Sequence, residues 1–152
     1  MQPLSVAQLI PVLQTAIGPT ILISGVGLLL LTMTNRLART IDRARAAAHE
    51  LADANEANRR TAHQQLRVLW RRARLIRLSI ALASTSALFA AILIIVLFLT
   101  ALLHLDNAGL ISALFIICLA SLIGSLIVFI HDINQALAAL KLELPAEDLD
   151  GK

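Results

Sequence analysis

Three stretches of the chain, residues 1–35, 78–103 and 107–130, contain no Asp, Glu, Lys or Arg. No other feature restricts the possible folds as tightly. A helix needs roughly 20 apolar residues to cross the hydrocarbon core of a bilayer. The second and third stretches meet that outright, with cores at Leu88 to Leu103 and Leu110 to Ile130. Buried core helices are a poor alternative. A chain of 152 residues that is 58% apolar and 15% charged, with a mean hydropathy of +0.79, has too little polar surface to cover three such segments. The same numbers exclude a disordered chain, and the single cysteine, Cys118, excludes a disulfide-stapled scaffold. The expected fold is all-α, an integral membrane protein with three transmembrane helices.

The first span is interrupted by Gly18 and Pro19, and proline removes a backbone donor inside a helix. Residues 19–35 give about 25 Å of helix, a bare crossing length. Upstream, Val6, Leu9, Ile10, Leu13 and Ile17 recur at helical spacing. Residues 1–18 are therefore an interfacial helix or the outer half of one long span, and a helix broken at Gly18-Pro19 is the favoured form. The start of the chain has no basic region and runs straight into arginines, so it does not read as a signal peptide.

All eleven arginines lie between Arg36 and Arg77, where four acids leave a net charge of +7; the rest of the chain carries −4. A basic loop of this length obeys the positive-inside bias, which places residues 36–77 in the cytoplasm. The N-terminus and the loop 104–109 are then outside, and residues 132–152 inside. Acidic residues contribute little to that rule, so the acidic tail is no obstacle.

No Gly or Pro occurs between Thr34 and Thr85. Leu37, Ile41, Ala44, Ala48 and Leu51 form one heptad seam, and Ala62, Leu66, Leu69, Ala73, Ile76 and Ile80 another. The polar stretch Asp53 to Asn58 is the natural turn between them. The segment 36–77 thus reads as a cytoplasmic antiparallel helical hairpin of helices 36–54 and 59–77, each about 28 Å long. It continues span 1 (19–35) into span 2 (78–103), and span 3 covers 110–131. The first seam extends upward through Thr34, Leu30, Gly27, Ile23 and Thr20. The two seams close on each other or on neighbouring copies. Small residues suited to helix contact in lipid recur at Ala83, Ala87, Ala90, Ala101, Ala120, Gly124, Ser121 and Ser125. Three helices bury few such faces within one chain, which points to a homo-oligomer.

Arg36, Arg39, Arg43, Arg67, Arg71 and Arg74 fall off the apolar seams on outward positions. Near a bilayer, basic side chains attract anionic headgroups at about 1 kcal/mol each. Arg36, Arg39, Arg43, Arg71, Arg72 and Arg74 are accordingly the candidates to face lipid or anions. Trp70 is the lone aromatic of this segment, so the stacking surface that nucleic acid needs is missing. Arg39 and Asp42, three apart, are placed to pair. His131-Asp132, at the inner edge of span 3, is placed to cap or to pair with arginines. The polar or small residues Gln14, Thr15, Gly18, Thr20, Ser24 and Gly27 make the first helix the candidate pore lining. Helix packing is the plainer account of the same residues. No charged residue lies inside a span, so a proton-coupled pump lacks its relay. His49 and Asp53 at the hairpin tip, with a third ligand to come from His63 or Glu56 across the turn, are too sparse for a metal site. Cys118 reads as a small apolar residue. No phosphate loop or nucleophile constellation is present, so neither an enzyme nor a cofactor is expected. After span 3, Ile133, Leu137, Leu140 and Leu144 share a face, which suits a short amphipathic helix ended by Pro145.

Pro19, Leu22, Ile23, Ser24, Gly25 and the Leu28-Leu29-Leu30-Leu31 run lead into Asn35-Arg36-Leu37-Ala38-Arg39-Thr40-Ile41-Asp42-Arg43-Ala44-Arg45. With Arg71-Arg72-Ala73-Arg74-Leu75-Ile76-Arg77, this resembles a bacterial family of small membrane proteins catalogued only as a domain of unknown function. The resemblance implies a bacterial inner-membrane location and supplies no substrate, activity or functional residue. From the residues themselves, the leading functional expectation is a homo-oligomeric passive ion channel or pore lined by the first helix. The rival is a non-conducting scaffold whose basic hairpin binds anionic lipid or a protein partner. Membrane lipids, anionic ones first, and further copies of the chain are the expected partners; nothing in the sequence identifies another protein.

Overall fold

The structure is a computed structural model that describes residues 6–53, 56–103 and 106–143. It consists of three helices: α1 (Val6–Asp53), α2 (Glu56–Leu103) and α3 (Ala108–Glu143). At 1.5 Å per residue, the 48 residues of α1 and of α2 give rods of about 72 Å. That is more than twice the thickness of a hydrocarbon core. Each helix contains a window long and apolar enough to cross a membrane.

The outer surface settles the class. Leu28, Ile21, Ile116 and Ile127 are 62–69% exposed, and the other large apolar side chains that face outward run along all three helices. Water would oppose such a surface, whereas lipid solvates it while the helices satisfy their own backbone groups. The chain is a three-span α-helical membrane protein.

α2 is the central helix. It packs against α1 on one side and α3 on the other, and the backbones of α1 and α3 do not come close among the described residues. Burial along α1 is therefore supplied almost entirely by α2. Ala16, Val26, Met33 and Thr40 are buried, and Pro19, Ile23, Leu30, Leu37, Ala44, Ala47 and Leu51 are half-buried between and beyond them. These positions alternate by three and four, the heptad stride. Ile23, Leu30, Leu37, Ala44 and Leu51 lie where the sequence puts the seam. At the alternate positions the seam runs through Pro19, Val26, Met33, Thr40 and Ala47, not through Thr20, Gly27, Thr34, Ile41 and Ala48. The reason is local. Thr40 donates its hydroxyl to the Arg36 carbonyl at 3.0 Å, so it can be buried like an apolar residue, and Ile41 is left outward. Val26 and Met33 fill the contact more fully than Gly27 and Thr34.

On α2, Ile76, Ser79, Ala83, Ser86, Ala90 and Leu93 are buried, and Leu66, Leu69 and Ala73 half-buried as their spacing predicts. Short side chains let α3 approach, and two reciprocal pairs of hydrogen bonds lock the contact. Ser79 Oγ donates to the Ser125 carbonyl (2.9 Å) while Ser125 Oγ donates to the Ser79 carbonyl (2.7 Å). One heptad along, Ser86 Oγ donates to the Cys118 carbonyl (2.8 Å) and Cys118 Sγ to the Ser86 carbonyl (3.2 Å). Cys118 is thus a polar partner as well as a small apolar residue.

One expectation changes. α1 runs without a gap through Pro11, Gly18 and Pro19, so the break expected at Gly18-Pro19 is not there. Neighbouring threonine hydroxyls bond within the same helix: Thr15 donates to the Pro11 carbonyl at 2.9 Å and Thr20 to the Ala16 carbonyl at 2.8 Å. The arginine segments are continuous with the first two spans, as expected, within α1 and α2, and no boundary sets off a distinct hairpin unit. The turn expected over Asp53 to Asn58 is shorter: Asp53 belongs to α1 and Glu56 to Asn58 to α2. Ala54-Asn55 lies outside the described residues, as do the acidic tail 144–152, with Leu144 and Pro145, and His104-Leu105 of the loop between α2 and α3. α3 starts after Asn107, whose carbonyl accepts the Ile111 N–H at 3.2 Å. It continues past the apolar stretch to Glu143 as the same helix.

Candidate functional site

One charged side chain is wholly enclosed. Asp132, two residues beyond the uncharged stretch of α3, has 0% exposure. Arg36, the first charged residue of α1, reaches it at 3.2 Å from Nη2 to Oδ2, and Arg72 of α2 at 3.8 Å from Nε to Oδ1. Neither contact has the alignment of a hydrogen bond, and both carboxylate oxygens lack an aligned donor among the described residues. The cluster is held by charge. Arg36 also lies over the Phe129 ring, 5.6 Å from its centroid, one turn before Asp132 on α3. Through this side chain α1 reaches α3, although their backbones stay apart among the described residues.

The Arg72–Asp132 contact is the third rung of a regular series. Arg72, Ser79 and Ser86 are seven apart on α2, as are Asp132, Ser125 and Cys118 on antiparallel α3. The heptad that pairs hydroxyls inside the apolar zone pairs opposite charges where that zone ends. Helix register therefore dictates which arginine meets the acid.

Two cations meet one anion at Asp132, and more positive charge lies beside it. A cavity of ≈ 340 Å³ between α1 and α2 is lined by Arg36, Arg39, Arg43 and Arg72 with Thr32, Thr40, Leu69 and Phe129. On α1 the residues 32, 36, 39, 40 and 43 share one face by their helical spacing. Of the six arginines marked by the sequence, Arg36, Arg39, Arg43 and Arg72 come together here. Arg36 is half-buried, a correction to its expected outward position, because it turns toward α3. Arg71 and Arg74 lie elsewhere, along a groove on α2 with His63, Leu66, Arg67 and Trp70. There Arg74 stacks over Trp70 at 4.7 Å. Asp42 pairs with Arg45 at 3.7 Å, not with Arg39, and both are largely exposed. Arg39 lines the cavity instead.

The candidate pore residues Gln14, Thr15, Gly18, Thr20, Ser24 and Gly27 are all exposed and off the α2 seam. By their spacing five of them divide between two flanks of α1, Gln14 and Gly18 on one and Thr20, Ser24 and Gly27 on another, while Thr15 lies beside the α2 contact. Within one chain they face no common lumen. Thr15 borders a cavity of ≈ 300 Å³ with Pro11, Val12, Leu97, Thr100 and Ala101. Among the described residues, no group of three or more His, Cys, Asp or Glu gathers to hold a metal ion.

The sequence marks Asp132 as an acid near arginines but does not select its partners, and it gives no role to Thr32 or Phe129. The usable signal is position. Asp132 is the first acid after a long uncharged run, and it meets Arg36, the innermost arginine of α1, but on α2 it meets Arg72 and not the innermost Arg77.

No curated protein and no solved structure matches the chain. A family model described as a protein of unknown function, DUF2721, matches residues 16–142, a range that takes in all three helices, the four cavity arginines and Asp132. The chain belongs to the DUF2721 family.

Proposed function

We propose that the protein is a non-catalytic, homo-oligomeric scaffold of the bacterial inner membrane that grips anionic lipid with the basic ends of α1 and α2. In this reading those ends form a cytoplasmic hairpin, the N-terminus lies outside and the C-terminus inside. The observation that carries it is the gathering of Arg36, Arg39, Arg43 and Arg72 at one cavity, which begins inside the uncharged stretches of α1 and α3 and runs out past their ends. Guanidinium groups at that height meet lipid phosphates, and each adds about 1 kcal/mol of attraction to an anionic surface. Small residues that stay exposed, among them Ser24 and Gly27 of α1 and Ala120 of α3, support assembly of several copies.

The test is reconstitution of the full chain in nanodiscs of mixed phosphatidylcholine and phosphatidylglycerol, followed by analysis of the lipids retained on purification. Enrichment of phosphatidylglycerol, weakened by raised salt, is expected. Retained lipid that mirrors the bulk mixture would overturn the reading.

A pore is the second reading, favoured by one observation: Gln14 and Ser24 sit on exposed faces of α1 that α2 leaves uncovered. A ring of copies could turn either face inward. Ion flux through liposomes that changes on Gln14→Leu or Ser24→Leu would support the pore. Impermeable liposomes over a range of voltage and pH would eliminate it.

A further inference from the structure

We infer that the cavity between α1 and α2 is a discrete site for one phosphate-bearing anion, with Asp132 positioning two of its four arginines. This deepens the proposed grip on anionic lipid and rests on it; a diffuse basic surface would satisfy that reading without any such site.

Charge comes first. Four guanidiniums line the cavity and one carboxylate stands behind them, which leaves a surplus of three positive charges. Asp132 engages one nitrogen of Arg36 and one of Arg72, without aligned hydrogen bonds. Each guanidinium carries five N–H donors in a planar fork, so both arginines retain donors to offer into the cavity. Phosphate, with its several acceptor oxygens, is the anion that such convergent forks bind best.

Preorganisation follows. An arginine free in solvent loses side-chain freedom when it binds. Arg36 is held between Asp132 and the Phe129 ring, and Arg72 is held against Asp132. Asp132 is thus a positioning residue: it fixes the inner pair, while Arg39 and Arg43 close the site from one turn and two turns further along α1.

Shape points to a lipid as the source of the phosphate. The cavity runs from Thr32 and Phe129, inside the uncharged stretches, to Arg43, roughly 16 Å along α1 at 1.5 Å per residue. The end at Thr32 and Phe129 lies within the stretches read as spans, and the end at Arg43 is basic and beyond them. Its ≈ 340 Å³ lies within the range of small-ligand sites.

The test is native mass spectrometry of the full chain released from nanodiscs of phosphatidylcholine with a minor share of phosphatidylglycerol. One phosphatidylglycerol retained per chain is expected. Arg39→Gln with Arg43→Gln, which spares the Asp132 cluster, should weaken that retention about tenfold or more. Arg71→Gln with Arg74→Gln should leave it unchanged. A circular-dichroism melt shows that each variant is folded. Titration with inorganic phosphate in phosphatidylcholine discs separates the sources: no uptake supports the lipid headgroup, and uptake abolished by the Arg39/Arg43 pair supports a free phosphate at the same site. Equal losses from both arginine pairs, or none from the Arg39/Arg43 pair, would overturn the site while leaving a diffuse lipid grip. Failure to enrich phosphatidylglycerol at all, with no phosphate uptake, would remove both.

Discussion

Asp132 and Asp42 carry the same chemical group and have opposite weights. A carboxylate removed from water must be compensated, and loss of one partner in a buried ion pair costs about 3 kcal/mol because the other charge is stranded. Asp132 is fully enclosed, and the side chains of Arg36 and Arg72 are 29% and 20% exposed. Asp132→Ala is therefore expected to destabilise the detergent-solubilised protein by about 3 kcal/mol. Asp42→Ala removes an exposed contact and should shift stability by less than about 0.5 kcal/mol. Equilibrium unfolding in mixed detergent measures both, and equal effects would refute the assignment of Asp132 as the structural charge. That an acid at residue 132 pairs with arginines is legible in the sequence. Its choice of Arg36 and Arg72 is not, since it depends on which turns of α1 and α2 stand beside α3. Asp42 shows the same limit at short range. Arginines stand three residues away on either side, and the acid takes Arg45, for which it is the N-terminal partner, the favoured order on a helix.

Heptad spacing makes the helices and half of each contact face legible. Every seventh residue of the α1 seam, from Ile23 to Leu51, is where hydropathy puts it. The positions between are not, because Thr40 hides its hydroxyl in its own backbone and so competes with Ile41 for the interior. The α2–α3 interface extends the point: Ser125 and Cys118 read from sequence as small packing residues, Ser79 and Ser86 go unmarked, and the pairing of the four requires two antiparallel registers to coincide. The same geometry predicts two contrasting substitutions. Ala83 is 0% exposed at this contact, so Ala83→Leu should cost about 1–3 kcal/mol through overpacking. A Cβ at Gly124 would meet Leu82 Cδ1 at 3.7 Å, an ordinary contact. Gly124→Ala should be neutral or stabilise by up to about 1 kcal/mol, because alanine costs less backbone entropy in a helix. The same unfolding assay ranks them, and a Gly124→Ala loss as large as that of Ala83→Leu would show that the contact is closer than described.

With α2 between them, α1 and α3 form an open layer joined across its basic end by Arg36, Asp132 and Phe129. The number of spans is legible from the uncharged stretches alone; this layer order is not, because all three stretches are apolar enough to take the centre. Small residues decide it, since α2 alone presents short side chains to both neighbours: Ser79 bonds Ser125 of α3 and approaches Met33 Sδ of α1 at 3.5 Å. The proposed lipid grip further requires the basic end to face the cytoplasm, as the positive-inside bias has it. Single cysteines introduced on a Cys118→Ser background test the orientation, with the native thiol removed and its hydrogen-bonding capacity kept. Asn107→Cys, just before α3, should react with a membrane-impermeant maleimide in intact cells. Arg45→Cys and Arg67→Cys, both at exposed positions, should react only after the membrane is opened. Labelling of residues 45 and 67 from outside, with residue 107 protected, would invert the molecule and set the arginine cavity against the outer leaflet.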